Sequence, residues 1–185
     1  RKESDLTLEE LTHKRVMVLG TGHIGQDIAK RLKEFDCVMV GVNSNGRAID
    51  HFDETYALKD VYDHLNNVDV VIGALPLNEH TEDMYSASFF QRMGVGAIFI
   101  NVGVVPSLVV DDLVKALEDN IAHAYLDVLP AEPLAKNSPL WRHKQISITP
   151  HNSSSSVIVK DRTKELVMKN LKRYANNETL LNQVI

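Results

Sequence analysis

Cysteine is nearly absent from this 185-residue chain: Cys37 stands alone, so no internal disulfide can form. Basic blocks are missing as well. With a net charge of -5 and a pI near 5.9, the chain has no lysine- and arginine-rich run of the kind that phosphate backbones or anionic membranes attract. Long apolar runs are equally scarce. The stretch Val68 to Leu77 is broken by Asp69, Gly73 and Pro76, well short of the roughly 20 residues of a membrane span. Arg1 to Glu10 is charged where a secretion signal would be apolar. These absences predict a cytoplasmic protein with neither nucleic acid nor membrane as partner. The 44% of hydrophobic and 24% of charged residues are the balance of an ordinary globular protein, and one domain is expected, with a core over about residues 11–175.

Local pattern then separates strands from helices. Thr7 and Glu10 have the spacing of a capping box, which predicts a short helix over Leu8 to Leu11. Val16 to Leu19 is a compact apolar run ending at Gly20, followed by apolar residues at Ile24, Ile28, Leu32 and Phe35. That order reads as strand, turn and amphipathic helix. Further short runs at Val38 to Val42, Val68 to Ile72, Ala97 to Ile100, Ala122 to Leu126 and Ile146 to Ile148 predict five more strands. Val110, Leu113, Val114 and Leu117 mark one helix between them, and Val159, Leu166, Val167, Leu171 and Tyr174 a long C-terminal one. Asn43 to Asp60 shows no period and is expected to be a loop. The alternation predicts an α/β fold, a doubly wound parallel sheet of the Rossmann type covered on both faces.

Gly20-Thr21-Gly22-His23-Ile24-Gly25 is a G-x-G-x-x-G run that leaves a predicted strand and opens a predicted helix. In that context Gly20 permits the tight turn, Gly22 admits a pyrophosphate close to the backbone, and Gly25 lets the helix approach the sheet. The N–H groups around His23 and Ile24 then face the anion. A purely structural turn would contain the same residues, but spacing and context together favour a nicotinamide dinucleotide. An acid is expected at the end of the second strand to hold the adenine ribose; the chain has Asn43-Ser44 there, with Arg47 just beyond. This set favours NADP over NAD, with Asn43, Ser44 and Arg47 receiving the 2'-phosphate, although an arginine in a polar loop is also commonly just solvated. The missing acid equally disfavours a methyl-donor fold. No histidine has metal-ligand spacing and no G-x-S-x-G elbow occurs, so neither a metal site nor a serine hydrolase is expected.

Several further segments occur in a fixed order: Leu75-Pro76-Leu77 with Thr81, Ile100-Asn101-Val102, Leu126-Asp127-Val128 with Glu132-Pro133-Leu134, and Thr149-Pro150-His151. With the glycine run they make Leu11 to about Tyr174 resemble the cofactor-binding domain of the D-isomer-specific 2-hydroxyacid dehydrogenases. The resemblance implies hydride transfer between NAD(P)H and a small 2-keto or 2-hydroxy acid. His151 would then protonate the carbonyl oxygen and Glu132 support it, a role that suits an imidazole whose second nitrogen faces a carboxylate. Val102, Gly103 and Asp127 would face the nicotinamide, Pro76 and Thr81 its ribose, and a homodimer would form. Two departures stand out. Where the family carries a substrate-clamping arginine, this chain has Val104, followed by Val105 in place of glycine. The family's separate substrate domain is also absent, which predicts a fragment or a stand-alone cofactor domain. A non-catalytic NAD(P)-binding module for redox sensing or assembly is the alternative.

Overall fold

In the computed structural model residues 10–76, 78–103 and 107–183 are described. The strands are β1 (Arg15–Leu19), β2 (Val38–Asn43), β3 (Glu54–Ala57), β4 (Val70–Gly73), β5 (Ala97–Asn101), β6 (Ile121–Leu126) and β7 (Ile146–Ile148). They pair in the order β3-β2-β1-β4-β5-β6-β7, every pair parallel. The helices are α1 (His23–Leu32), α2 (Ala87–Phe90), α3 (Val110–Asp119) and α4 (Val159–Ala175). Winding proceeds outward from β1 to β3, then restarts at β4 on the other side of β1. The direction of winding therefore reverses between β1 and β4, the place where such sheets open a crevice at their carboxyl ends.

β1, β2 and β4 are runs of valine, methionine, leucine and isoleucine, buried almost without a break, as central parallel strands are. One face carries the larger core, where Met17, Leu19, Val42 and Phe99 pack with Leu113 and Leu117 of α3. Phe99 meets Tyr85 and Phe90 edge-on, at ring separations of 4.9 and 5.2 Å. On the other face Val16, Val18, Met39 and Ile72 meet Ala29, Ile28 and Leu32 of α1.

Two expectations need correction. The presumed loop from Asn43 to Asp60 contains β3, an edge strand paired with β2. Its sequence, Glu-Thr-Tyr-Ala, has no apolar alternation because its polar members are satisfied by distant residues: both carboxylate oxygens of Glu54 accept from the Arg15 guanidinium. On α1 the side against the sheet is formed by buried Gly25 and Ala29 with half-buried Ile28 and Leu32, whereas Ile24 is 62% and Phe35 52% exposed. Small residues face the sheet here because the helix lies so close to it. The chain forms two compact units, Arg1–Pro150 and His151–Ile185. The second contains α4, none of whose residues is buried. The helix expected over Leu8 to Leu11 falls largely outside the described residues; Glu10 and Leu11 are not helical. No described helix is long and apolar enough to cross a membrane.

Candidate functional site

Parallel pairing itself gathers the residues singled out above. The residue following each of β1, β4, β5, β6 and β7 donates its N–H to the end of the neighbouring strand: Gly20 to Val42, Ala74 to Leu19, Val102 to Gly73, Asp127 to Asn101 and Thr149 to Leu126, at 2.8–3.0 Å. Five strand ends are thereby brought into one row. The glycine run, the Pro76 segment, Val102 and Gly103, and Asp127 are all members of it.

The three glycines answer to different constraints. Gly20 has φ +105°, and a Cβ there would come within 2.6 Å of the Ala74 carbonyl oxygen. At Gly25 a Cβ would collide with the Gly20 carbonyl oxygen. Gly22 is unlike both. Its backbone is ordinary and extended, at φ -72° and ψ -167°, and a Cβ would meet nothing within 4 Å. No described residue packs against that position, and the space in front of it is open. Gly22 caps α1 without a side-chain bond, and no acid stands in the first turn beside His23 and Ile24, so the positive end of the helix is unopposed. Gln26 Nε2 donates to the Thr21 carbonyl at 2.9 Å and steadies the turn. An open backbone cradle at a helix N-terminus fits a pyrophosphate, and these residues fit a dinucleotide.

At the end of β2, Asn43 is buried and its amide is fully engaged within the protein, so it does not offer the phosphate donor expected of it. Ser44 and Arg47 are exposed. Ser44 borders a cleft of about 510 Å³ that is also lined by Lys59, Tyr62 and His80. Thr81 differs from expectation in the same way as Asn43. It is 1% exposed, and its hydroxyl donates to the Pro76 carbonyl at 2.8 Å and accepts from Asn78 N at 2.9 Å, which shapes the loop instead of facing a ribose.

Around the other strand ends, Asp127 is 5% exposed and accepts from the Thr149 hydroxyl at 2.5 Å. Asn101, named above only as part of a motif, is buried and its Oδ1 accepts from Gly103 N at 3.1 Å, fixing the turn after β5. A polar residue closing an apolar strand was the available signal for that role. Gly103 passes so near the Pro76 segment that a Cβ would lie 3.0 Å from the Leu75 carbonyl oxygen. Glu132 is exposed in the loop after β6 and accepts from Leu129 N at 3.2 Å. His151, exposed and at φ +50°, opens the second unit. Glu132 and His151 thus belong to different units. Val104 lies outside the described residues.

Residues 1–153 match the family model described as D-isomer specific 2-hydroxyacid dehydrogenase, NAD binding domain. The chain is 33% identical over 135 residues to a glyoxylate/hydroxypyruvate reductase A of Serratia proteamaculans (strain 568), covering 72% of this chain and 43% of that protein. With a glyoxylate reductase of Thermofilum pendens it shares 32% identity over 168 residues, 90% of this chain and 50% of the relative. Among solved structures, an NADPH-dependent glyoxylate/hydroxypyruvate reductase from Sinorhizobium meliloti in complex with NADP and sulfate superposes with a TM-score of 0.87 at 28% identity, covering 97% of this chain and 58% of that one. The chain spans about half the length of the curated relatives that it matches.

Proposed function

Since this chain belongs to the D-isomer specific 2-hydroxyacid dehydrogenase family, we propose that it is the cofactor-binding part of an oxidoreductase that interconverts a small 2-keto acid and a 2-hydroxy acid, with NADP(H) preferred. The observation that carries this reading is the row of strand ends around the open space before Gly22. When bound, the nicotinamide supplies or accepts the hydride. The chain's own part is to seat the pyrophosphate on the α1 N-terminus and to present the 2'-phosphate to Arg47. By the family resemblance His151 is the candidate proton donor to the carbonyl oxygen during reduction, and Glu132 the candidate supporting carboxylate. Relatives named as glyoxylate reductases favour a keto acid of two or three carbons as substrate. The same reading makes the chain one domain of a homodimeric cytoplasmic enzyme with neither nucleic acid nor membrane as partner.

A second reading is favoured by Val104: a non-catalytic NAD(P)-binding module. A keto acid deprived of its arginine in a partly desolvated cleft loses about 3–5 kcal/mol, which is roughly a hundredfold to several thousandfold in rate. The chain is therefore expected to bind cofactor and to reduce glyoxylate very slowly, and Val104→Arg in a protein that includes the substrate domain is expected to raise that rate. Calorimetry with the four oxidised and reduced cofactors, followed by turnover with and without Val104→Arg, checks both statements. No binding at millimolar cofactor would end the first reading, and binding with no turnover even after Val104→Arg would favour the second.

A further inference from the structure

Asn43 closes β2 where dinucleotide-binding folds commonly place an acid. Its side-chain amide has two acceptor positions and two N–H groups, and all four are in use. Oδ1 accepts from the backbone N–H of Asn45 at 3.2 Å and of Gly46 at 2.7 Å. Nδ2 donates to the Arg47 carbonyl at 2.9 Å and to the Thr21 hydroxyl at 3.3 Å. Thr21 sits between Gly20 and Gly22 in the pyrophosphate turn; Arg47 sits in the loop after β2. One buried amide therefore ties the two segments together.

The loop it holds has further fastenings. Asn45 Oδ1 accepts from Arg47 N at 3.2 Å, and the Gly46 carbonyl, at a residue with φ +74°, accepts from the Thr55 hydroxyl at 3.1 Å. Arg47 is the one cation of the Ser44–Arg47 loop: its side chain is exposed and its guanidinium has no partner among the described residues. An aspartate at position 43 could not build this arrangement, because a carboxylate oxygen would face the Arg47 carbonyl, acceptor against acceptor. The amide is required for the loop as much as the acid is excluded by charge.

We propose that Asn43 is a positioning residue for cofactor selectivity, its amide setting the Ser44–Arg47 loop against the Thr21 turn so that Arg47 stands at the 2'-phosphate while the pyrophosphate lies on α1. The inference rests on the NADP(H) preference proposed above. Asn43 touches neither phosphate; it acts through Arg47. A residue that merely stabilised the fold would, when removed, weaken NADH and NADPH alike.

The test is the ratio of Kd for NADH to Kd for NADPH, measured on the full 185-residue chain by calorimetry, with Tm followed in parallel. Arg47→Ala is expected to lower the ratio about tenfold or more, the loss of a charge-assisted contact. Asn43→Ala is expected to lower it comparably, and in the Arg47→Ala background to lower it no further. Asn43→Ser, which keeps a short side-chain acceptor for the turn but cannot span Arg47 and Thr21, is expected to behave as Asn43→Ala and serves if the alanine variant does not fold. A parent ratio near one, or a ratio untouched by Arg47→Ala, overturns the NADP(H) reading itself. A ratio that collapses in Arg47→Ala yet survives both Asn43 variants, or additive losses in the double variant, overturns the assignment to Asn43 alone.

Discussion

Gly22 and Gly25 are three residues apart in one motif, yet substitution separates them. A methyl group at Gly25 meets the Gly20 carbonyl oxygen, so Gly25→Ala must part the helix from the strand. Overpacking of this kind costs about 1–3 kcal/mol or more, a fall in Tm of roughly 2–12 °C for a chain of this size. At Gly22 the methyl group enters open space, so Gly22→Ala is expected to leave Tm within a few degrees while dinucleotide affinity drops about tenfold or more. Thermal melts with and without NADPH check the pair. Equal loss of stability in both variants would mean that Gly22 serves the fold and not a ligand. The spacing of the motif already gave each glycine its task, the approach of a pyrophosphate at Gly22 among them; the contrast in packing between Gly22 and the other two was not readable there. That distinction depends on where Ala74 and Gly20 place their carbonyl oxygens around each one.

At the scale of elements, β3 is the one strand that the apolar pattern did not announce. What holds it is a polar network on the side of the larger core. The Arg15 guanidinium donates to both oxygens of Glu54, Tyr56 OH donates to Glu54 Oε2 at 2.6 Å, and the Tyr56 ring stacks on His64 at 3.5 Å. The hydrogen bond from Arg15, followed by that from Tyr56, holds the Glu54 carboxyl well below its ordinary 4.5, at about 2. A folded-state value below the unfolded one means that the stabilisation is present in full above pH 4.5 and disappears as pH falls toward 2. The Glu54 side chain is 37% exposed, so solvent screening leaves about 1 kcal/mol. Glu54→Gln is accordingly expected to be less stable than the parent by that amount at neutral pH, with the gap closing between pH 4.5 and pH 2. Urea denaturation at pH 7, 4 and 3 measures it. A gap of the same size at pH 3 and pH 7 would rule out an ionic origin. Elements with a period of two or of 3.6 residues were readable because their cause is local; β3 was not, because its partner Arg15 is 39 residues away.

For the whole molecule, the division at Pro150 separates a unit with its own core from one without. Within the second unit α4 is supported by the Glu165–Lys169 pair, and by Asn170, which both donates to and accepts from the backbone of Leu181. Such exposed contacts are individually worth little, and a single helix of 17 residues is marginal in water. Amides of α4 are therefore expected to exchange with deuterium about a hundredfold or more faster than those of β1 and β4, as mass spectrometry or NMR will record. Equal protection would show that the helix unfolds only with the sheet. Hydrophobic runs, the glycine spacing and the alternation of strand and helix were enough to establish the parallel α/β sheet and to point to the strand ends as the candidate site, since each of these depends on neighbours a few residues apart. The inward turn of Asn43, the burial of Thr81, the outward face of Ile24 and the pairing of β3 were settled by three-dimensional packing. Asn43 shows the reason: its bond to Thr21 spans 22 residues, and no local period records which side chain will meet which across that distance.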